Sequence, residues 1–459
     1  MTSIPRPAKR ARADYRCTEC GWATTKWIGR CGECQAWGTV DETGPRVRGV
    51  TAGPVSTPAR PILEVDVDIA RSRSTGVDEL DRVLGGGLIA GGVVLLAGEP
   101  GVGKSTLLLD VAARSARAGV TTLYVTGEES AAQVRLRADR INAVHAGLWL
   151  AAETDLAAVL GQVDAVAPGF LVLDSVQTVS APDIEGTPGG VTQVRAVASA
   201  LIRLAKERAI ATVLIGHVTK DGSVAGPRLL EHLVDVVLTF EGEQHSPLRL
   251  GRATKNRYGP TDEVGCFTMS DHGVEGVTDP SGLFLQRHST PVPGTCVTVT
   301  LEGRRPLVVE VQALVSPSAA TTPKRTSSGL DASRLAMVVA VLTRRGRVPL
   351  VGSEIYAATV GGVQLREPAS DLALIMAIAS AYLDRPLASD LVAFGEIGLA
   401  GEVRPVPGID RRLAEAARLG FGHALIPAYD GPVPEGMSVT TVTDIHDALA
   451  VALAEVSRR

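Results

Sequence analysis

Nine consecutive residues, Gly98-Glu99-Pro100-Gly101-Val102-Gly103-Lys104-Ser105-Thr106, fit the spacing G-x-x-x-x-G-K-[ST]. That spacing holds the phosphates of a nucleoside triphosphate. The glycines let the backbone curl so that successive N–H groups aim at the β-phosphate. Lys104 sets a point charge against the β- and γ-phosphates, and the Ser105 hydroxyl is placed to ligate Mg²⁺. Two further stretches supply carboxylates: 121–126 is followed by Gly127-Glu128-Glu129, and Phe170-Leu171-Val172-Leu173 by Asp174. A wholly apolar strand ending in Asp, at this distance after a phosphate loop, has the form of the Walker B element, in which Asp174 helps to hold Mg²⁺ through water. Of the acidic pair, Glu128 is favoured to orient or deprotonate the attacking water, with Glu129 close behind. The other one of the two is expected to cap the helix that follows.

A second chemistry stands near the N-terminus. Cys17-x-x-Cys20 and Cys31-x-x-Cys34 are separated by ten residues. They present two pairs of thiolates to one ion, which makes a closed Cys₄ zinc site. With all four positions filled by protein, the zinc is structural. Lys26 and Arg30, beside Trp27, either touch DNA or belong to a solvated surface that docks a neighbouring domain. Cys266 and Cys296 are isolated, and the six cysteines do not form a disulfide framework.

Elements of an α/β fold must position these groups. Val93-Val94-Leu95-Leu96-Ala97 reads as the strand that feeds the phosphate loop, and Leu107-Leu108-Leu109-Asp110-Val111 as the helix that leaves it. The segment from Ser74 to Asp81 predicts a helix that starts at Thr75 or Asp78, stops at Gly85 and lies beside the nucleotide. The runs 121–126, 170–173 and 209–215 read as buried strands whose ends carry Glu128, Asp174 and His217. An open parallel sheet places its chemistry at that edge. His217 there is either structural or a sensor of the γ-phosphate. Stretches 178–192 and 220–228 read as loops. Arg252, Lys255 and Arg257 form either a solvated basic face or a finger offered to a neighbouring subunit's nucleotide.

A chain of 459 residues suggests two to four domains. Aromatic residues make up only 3%, so the cores must be built from Val, Leu, Ile and Ala. Trp22, Trp27 and Trp37 crowd the first forty residues and mark them as a separate module. The net charge of −4 excludes a polycation, so any nucleic-acid contact must use locally gathered basic groups. No apolar run approaches the roughly 18 residues that span a membrane, and the basic N-terminus lacks the apolar stretch of a secretory signal. A soluble, cytoplasmic protein with no membrane partner is expected. The divisions read from composition are 1–45, zinc finger; 46–70, linker; 71–280, ATPase domain; and 281–459, a further domain.

Together these residues resemble the RecA-like ATPases, and specifically the family of bacterial RadA (Sms) DNA repair proteins. That family joins a Cys₄ zinc finger, a RecA-like core with G-E-P-G-x-G-K-S-T, a K-N-R-F-G motif and a Lon-protease-like C-terminal domain. Lys255-Asn256-Arg257-Tyr258-Gly259 departs from the motif only by Tyr for Phe. The resemblance implies a RecA-like P-loop core with an N-terminal zinc finger and a C-terminal Lon-protease-like α+β domain, using ATP, Mg²⁺ and Zn²⁺. It implies a hexameric homo-oligomeric ring that hydrolyses ATP between subunits, moves on single-stranded DNA and drives branch migration of recombination intermediates, with a RecA-type recombinase as a partner. On that model Lys255 and Arg257 act on the neighbour's γ-phosphate. The loops 178–192 and 220–228 face DNA, with Lys220 and Arg228 as phosphate contacts.

In the C-terminal third, 297–301 and 307–311 read as strands, 316–328 as a loop and 330–342 as a helix. Two segments, Glu367-Pro368-Ala369-Ser370-Asp371 and Arg404-Pro405-Val406-Pro407-Gly408-Ile409-Asp410, resemble those that carry the Ser–Lys dyad of Lon proteases. The nucleophile's position falls on Ala369 and the base's on Asp410. Ser370 is next door, but one helical step turns it about 100° away. A carboxylate cannot replace the amine base. The domain therefore reads as a protease-derived scaffold without peptidase activity. A DNA motor is the leading function. A nucleotide-gated signalling ring on the same core is the alternative, and an ATP-dependent protease fails on Ala369 and Asp410.

Overall fold

The structure, a computed structural model, describes residues 15–42, 59–64, 71–217, 230–242, 248–286 and 290–454. Lys220, Arg228 and most of the expected linker lie outside these residues. The chain divides into two compact units, Met1–Asp66 and Val67–Arg459.

In the first unit β1 (Tyr15–Cys17) pairs antiparallel with β2 (Ala23–Thr24) and with β3 (Val40–Glu42). Its buried core is Cys17, Cys31 and Val40, against which Tyr15, Trp22 and Ile28 pack. So little apolar surface needs a covalent or metal staple to stay folded.

The second unit opens with a short hairpin of β4 (Ser72–Arg73) and β5 (Leu88–Ile89), with α1 (Asp78–Leu84) between them. This helix begins at the later of the two expected positions. The Thr75 hydroxyl accepts the Val77 N–H at 3.2 Å and the Asp81 carboxylate accepts the Thr75 N–H at 2.8 Å, so a turn occupies the earlier residues. Then follow β6 (Val93–Gly98), α2 (Lys104–Arg117), β7 (Thr122–Thr126), α3 (Ala131–Arg140), β8 (Leu148–Ala152), α4 (Leu156–Val166), β9 (Phe170–Asp174), α5 (Val191–Arg208) and β10 (Ala211–His217). The chain continues through β11 (Val236–Glu241), β12 (Leu248–Asn256), β13 (Val264–Ser270) and β14 (Gly273–Gly276). Among the described residues these strands form one sheet in the order β14-β13-β12-β11-β6-β10-β9-β7-β8. It is parallel from β11 to β8 and antiparallel from β11 to β14.

The reason for a parallel centre lies in the sequence. Val94, Leu96, Tyr124, Val172 and Val213 face α2 and α3 on one side of the sheet. Val93, Leu95, Leu123, Leu171 and Leu214 face α4 and α5 on the other. Strands apolar at every position must be covered on both faces, which crossover helices accomplish. α5 starts at Val191, so the first of the two expected loops ends before Thr192.

After residue 280 a second sheet begins. It is made of β15 (Thr295–Glu302), β16 (Arg305–Pro317), β17 (Arg325–Ser328), β18 (Ser353–Thr359) and β19 (Leu391–Ala393), a separate hairpin of β20 (Glu396–Ile397) and β21 (Val403–Arg404), and then β22 (His423–Ile426) and β23 (Ser438–Thr441). The sheet order is β17-β18-β16-β15-β19-β22-β23. Helices Ala332–Arg344 and Asp371–Leu383 pack on one face, and Ile409–Arg418 on the other. The expected loop 316–328 is wrong in its second half: Arg325–Ser328 runs parallel to β18 as the sheet's edge strand. Its exposed Arg, Thr and Ser side chains disguise it, and they suit an edge that faces water. An ion pair of Arg252 with Glu302 at 2.6 Å joins the two sheets, and another, of Glu79 with Arg305, joins α1 to the second sheet.

Candidate nucleotide and metal sites

β6 delivers the phosphate loop. Gly101 and Gly103 have φ of 79° and 108°, the left-handed region in which side chains are disfavoured. Lys104 opens α2 and is 3% exposed. Its Nζ donates to the carbonyls of Gly98 and Glu99 at 2.7 and 2.8 Å, positions that phosphate oxygens would take over. Burial lowers the Lys104 ammonium to about pKa 8, opposed by the charges of Asp174, Glu128 and Glu99. Glu99, Pro100 and Gly101 are exposed, Val102 is buried, and Ser105 and Thr106 are half-buried.

The next strands in the sheet, β10, β9 and β7, end at the same edge. His217 pairs in register with Gly98, and Asp174 with Thr126. Ligand atoms of Glu128, Asp174 and His217 consequently lie within 4.8 Å of one another. Glu128 Oε1 accepts from the Ser175 hydroxyl at 2.5 Å and lies 2.7 Å from His217 Nε2. The hydrogen bond from His217, with that from Ser175, holds the Glu128 carboxyl below its usual range. Asp174 is 5% exposed, and burial pushes its carboxyl up, opposed by the hydroxyls of Tyr124 and Ser105. Tyr124 Oη donates to Asp174 Oδ2 at 2.6 Å, whereas Oδ1 is buried without a hydrogen-bond partner. An orphaned carboxylate oxygen beside the Ser105 hydroxyl is a donor set that suits a hard divalent cation.

Glu129 is directed elsewhere: it pairs with Arg137 on α3. Nor does either glutamate cap that helix. Ser130 does, in a reciprocal capping box with Gln133. The sequence pattern S-x-x-Q is the local signature of that box.

Lys255 and Arg257 stand at the opposite edge of the sheet. Lys255 pairs with Val237 and, through β11, lies level with Leu95 near the start of β6. Its Nζ donates to the carbonyls of Glu231 and Val234 at 2.7 and 2.8 Å. Arg257 pairs with the buried Asp235 at 3.2 Å, and Asp235 also accepts the Val93 N–H. Lys255 is therefore level with a residue three steps before Gly98, roughly 10 Å along the strand, and Arg257, bonded through Asp235 to the level of Val93, is five steps before it, roughly 17 Å. Arg252, by contrast, is engaged by Glu302.

Comparison with known proteins gives three matches along the chain: a rubredoxin metal binding domain at residues 15–42, an AAA domain at 58–223, and the Lon protease (S16) C-terminal proteolytic domain at 358–455. A protein of Mycolicibacterium smegmatis named DNA repair protein RadA is 53% identical over 449 residues, covering 95% of this chain and 96% of its own length. Proteins of the same name from Mycobacterium tuberculosis and Pseudomonas aeruginosa are 52% and 46% identical over 448 residues, each covering 96% of this chain and 93% and 98% of its own length. The chain belongs to the RadA family. No helix among the described residues is long and apolar enough to cross a membrane.

In this RadA-family chain the four knuckle cysteines converge. Cys17 and Cys34 Sγ atoms are 3.7 Å apart, and those of Cys20 and Cys31 are 3.5 Å apart. A tetrahedral ion with bonds of about 2.3 Å sets its sulfurs about 3.8 Å apart, so the donor set and spacing fit zinc. Cys17 is lowered to about pKa 6, chiefly by the Thr39 hydroxyl.

The two Lon-like segments of this RadA-family chain meet as well. Ala369 is buried at 1% exposure and Asp410 lies exposed on the first turn of its helix. Ser370 Oγ donates back to the Glu367 carbonyl at 3.2 Å. Between the two segments stands an ion pair that sequence reading missed. Arg412, fully buried, binds both Glu367 oxygens at 2.7 and 2.8 Å, donates to the carbonyls of Pro407 and Val299, and lies 5.8 Å from the centre of the Phe394 ring.

Proposed function

We propose that this chain is a DNA-dependent ATPase of recombinational repair, which binds single-stranded and branched DNA and drives branch migration of recombination intermediates. The observation that carries the reading is the division of one sheet. Lys104, Ser105, Glu128, Asp174 and His217 gather at one edge, while Lys255 and Arg257 occupy the other. A chain with half a site on each edge is completed by head-to-tail neighbours, and such heterologous contacts form a ring when their rotation closes. The hexamer that the family resemblance implies would place Lys255 and Arg257 against the next subunit's γ-phosphate.

In this mechanism the loop Gly98–Thr106 cradles the triphosphate and Lys104 exchanges its two carbonyl partners for phosphate oxygens. Ser105 and Asp174 would hold Mg²⁺, whose charge neutralises the transferring phosphoryl group. Glu128 orients the attacking water, and its hydrogen bonds from Ser175 and His217 keep it ionised and aimed. His217 lies at the foot of the segment that includes Lys220 and Arg228, which supports a route from DNA contact to the carboxylate. The zinc ribbon is structural, and the domain 281–459 serves ring assembly without peptidase activity, because an alanine and an exposed carboxylate stand where a nucleophile and its base belong.

The test is steady-state ATP hydrolysis with and without single-stranded DNA, for the native chain, Lys104→Ala and Lys255→Ala. DNA stimulation that both variants abolish is the expected result. Turnover indifferent to DNA would overturn the proposal in favour of a nucleotide-gated ring.

A further inference from the structure

Two buried hydroxyls do work at this site that no motif assigns. Tyr124 and Ser175 are both 0% exposed. Tyr124 belongs to β7, the strand that leads to Glu128, yet its hydroxyl reaches across to Asp174 Oδ2 on β9 at 2.6 Å. Ser175 follows β9, and its hydroxyl reaches back to Glu128 Oε1 at 2.5 Å. The two neighbouring strands thus exchange one hydroxyl for one carboxylate in each direction. On each carboxylate one oxygen is taken: Asp174 Oδ1 has no hydrogen-bond partner, and Glu128 receives both Ser175 and His217 on Oε1. A Tyr whose ring lies in the apolar layer with Phe170 and Val172 gains nothing in packing from its hydroxyl, since Phe fills the same space.

We propose that Tyr124 and Ser175 are positioning residues that cross-brace the two carboxylates. Tyr124 fixes the rotation of Asp174 so that Oδ1 faces the metal's water shell. Ser175 fixes Glu128 so that Oε2 faces the attacking water. The inference rests on the ATPase reading above, and it separates the two tasks. Losing the Tyr124 hydroxyl should weaken the use of Mg²⁺, whereas losing the Ser175 hydroxyl should slow the chemical step.

The experiment uses the full chain, native and as Tyr124→Phe, Ser175→Ala and Lys104→Ala. Two quantities are read: affinity for a fluorescent non-hydrolysable ATP analogue as Mg²⁺ is titrated, and kcat for ATP at saturating Mg²⁺. Partners that orient metal ligands are typically worth 10–100-fold. Tyr124→Phe should therefore raise the Mg²⁺ concentration giving half-maximal tightening by roughly tenfold, while affinity without Mg²⁺ stays native. Ser175→Ala should leave that Mg²⁺ titration native and lower kcat by roughly tenfold or more. A native chain that neither binds the analogue through Lys104 nor hydrolyses ATP would refute the ATPase reading itself. A native chain that does both, with Tyr124→Phe titrating Mg²⁺ as native or with both variants losing the same quantity in the same proportion, would refute the cross-brace alone.

Discussion

Replacing Arg412 tests what holds the two Lon-like segments together. Its guanidinium is wholly buried and satisfied by five contacts: two oxygens of Glu367, the carbonyls of Pro407 and Val299, and the face of Phe394. Arg412→Ala removes all of them and leaves the Glu367 carboxylate, a quarter exposed, with only the Leu301 N–H at 2.7 Å. Breaking one side of a buried pair costs about 3–5 kcal/mol, and the cavity left by the side chain acts in the same direction. Because the whole chain is too large for one two-state transition, the quantity to measure is local opening, by amide hydrogen exchange of β15 and helix Ile409–Arg418. A loss of 3–5 kcal/mol speeds exchange there by about two to almost four orders of magnitude, up to the limit set by global unfolding. Exchange in β6 and α2 should change far less. Glu367→Gln combined with Arg412→Met should cost less than Arg412→Ala, since neither side then leaves a bare charge. Exchange of Arg412→Ala within threefold of native in both elements would refute the view that this pair holds the two segments together.

Three more outcomes follow from the site. Glu128→Gln keeps the acceptor oxygen but loses the charge, so ATP turnover should fall at least 100-fold while nucleotide affinity stays within about threefold; unchanged turnover would remove Glu128 from the chemistry. Lys104→Ala and Lys255→Ala are each defective at opposite edges of the sheet, so an equal mixture should regain activity at about a quarter of its interfaces, where an intact loop meets an intact Lys255. A mixture no more active than either variant alone would argue against action between subunits. Stripping zinc with a chelator should unfold residues 15–42, whose own apolar core is three residues, and red-shift the emission of Trp22, which packs against that core while Trp27 and Trp37 are already exposed, with recovery on adding Zn²⁺. Unaltered emission would show that the ribbon holds without metal.

Local spacing made part of this readable in advance. The phosphate loop and the two cysteine knuckles are contiguous signals whose geometry depends on neighbours in the chain. The place of Asp174 at the end of β9 is legible because an apolar run closed by a carboxylate reads as a buried strand reaching the sheet's C-terminal edge. The residue types at Ala369 and Asp410, in the two Lon-like segments, are likewise readable position by position. What escaped depends on partners distant in sequence. Tyr124 looks like any aromatic in a β-rich run until β9, 50 residues away, brings Asp174 against its hydroxyl. Arg412 looks like a solvent-facing helix residue until Glu367, 45 residues earlier, is folded onto it. The pairing of Glu129 with Arg137 depends on where α3 carries that side chain, and β17 is hidden because a polar edge strand resembles a loop.

The seam between the two sheets bears on how the molecule can be divided. Leu248 and Cys266, on β12 and β13, are buried in the same apolar cluster as Leu335, Ile375 and Leu449. Glu79 on α1, 1% exposed, has Arg305 as its counter-charge and receives the Cys266 N–H at 2.8 Å. An ATPase fragment cut at residue 280 would uncover the outer wall of its own sheet and leave the buried Glu79 with only the longer pairing to Arg82, at 3.6 Å. The Lon-like half is thus a flank of the ATPase domain's sheet rather than an appendage. A graft that exchanges it for a relative's would have to carry β12, β13 and α1 across with it.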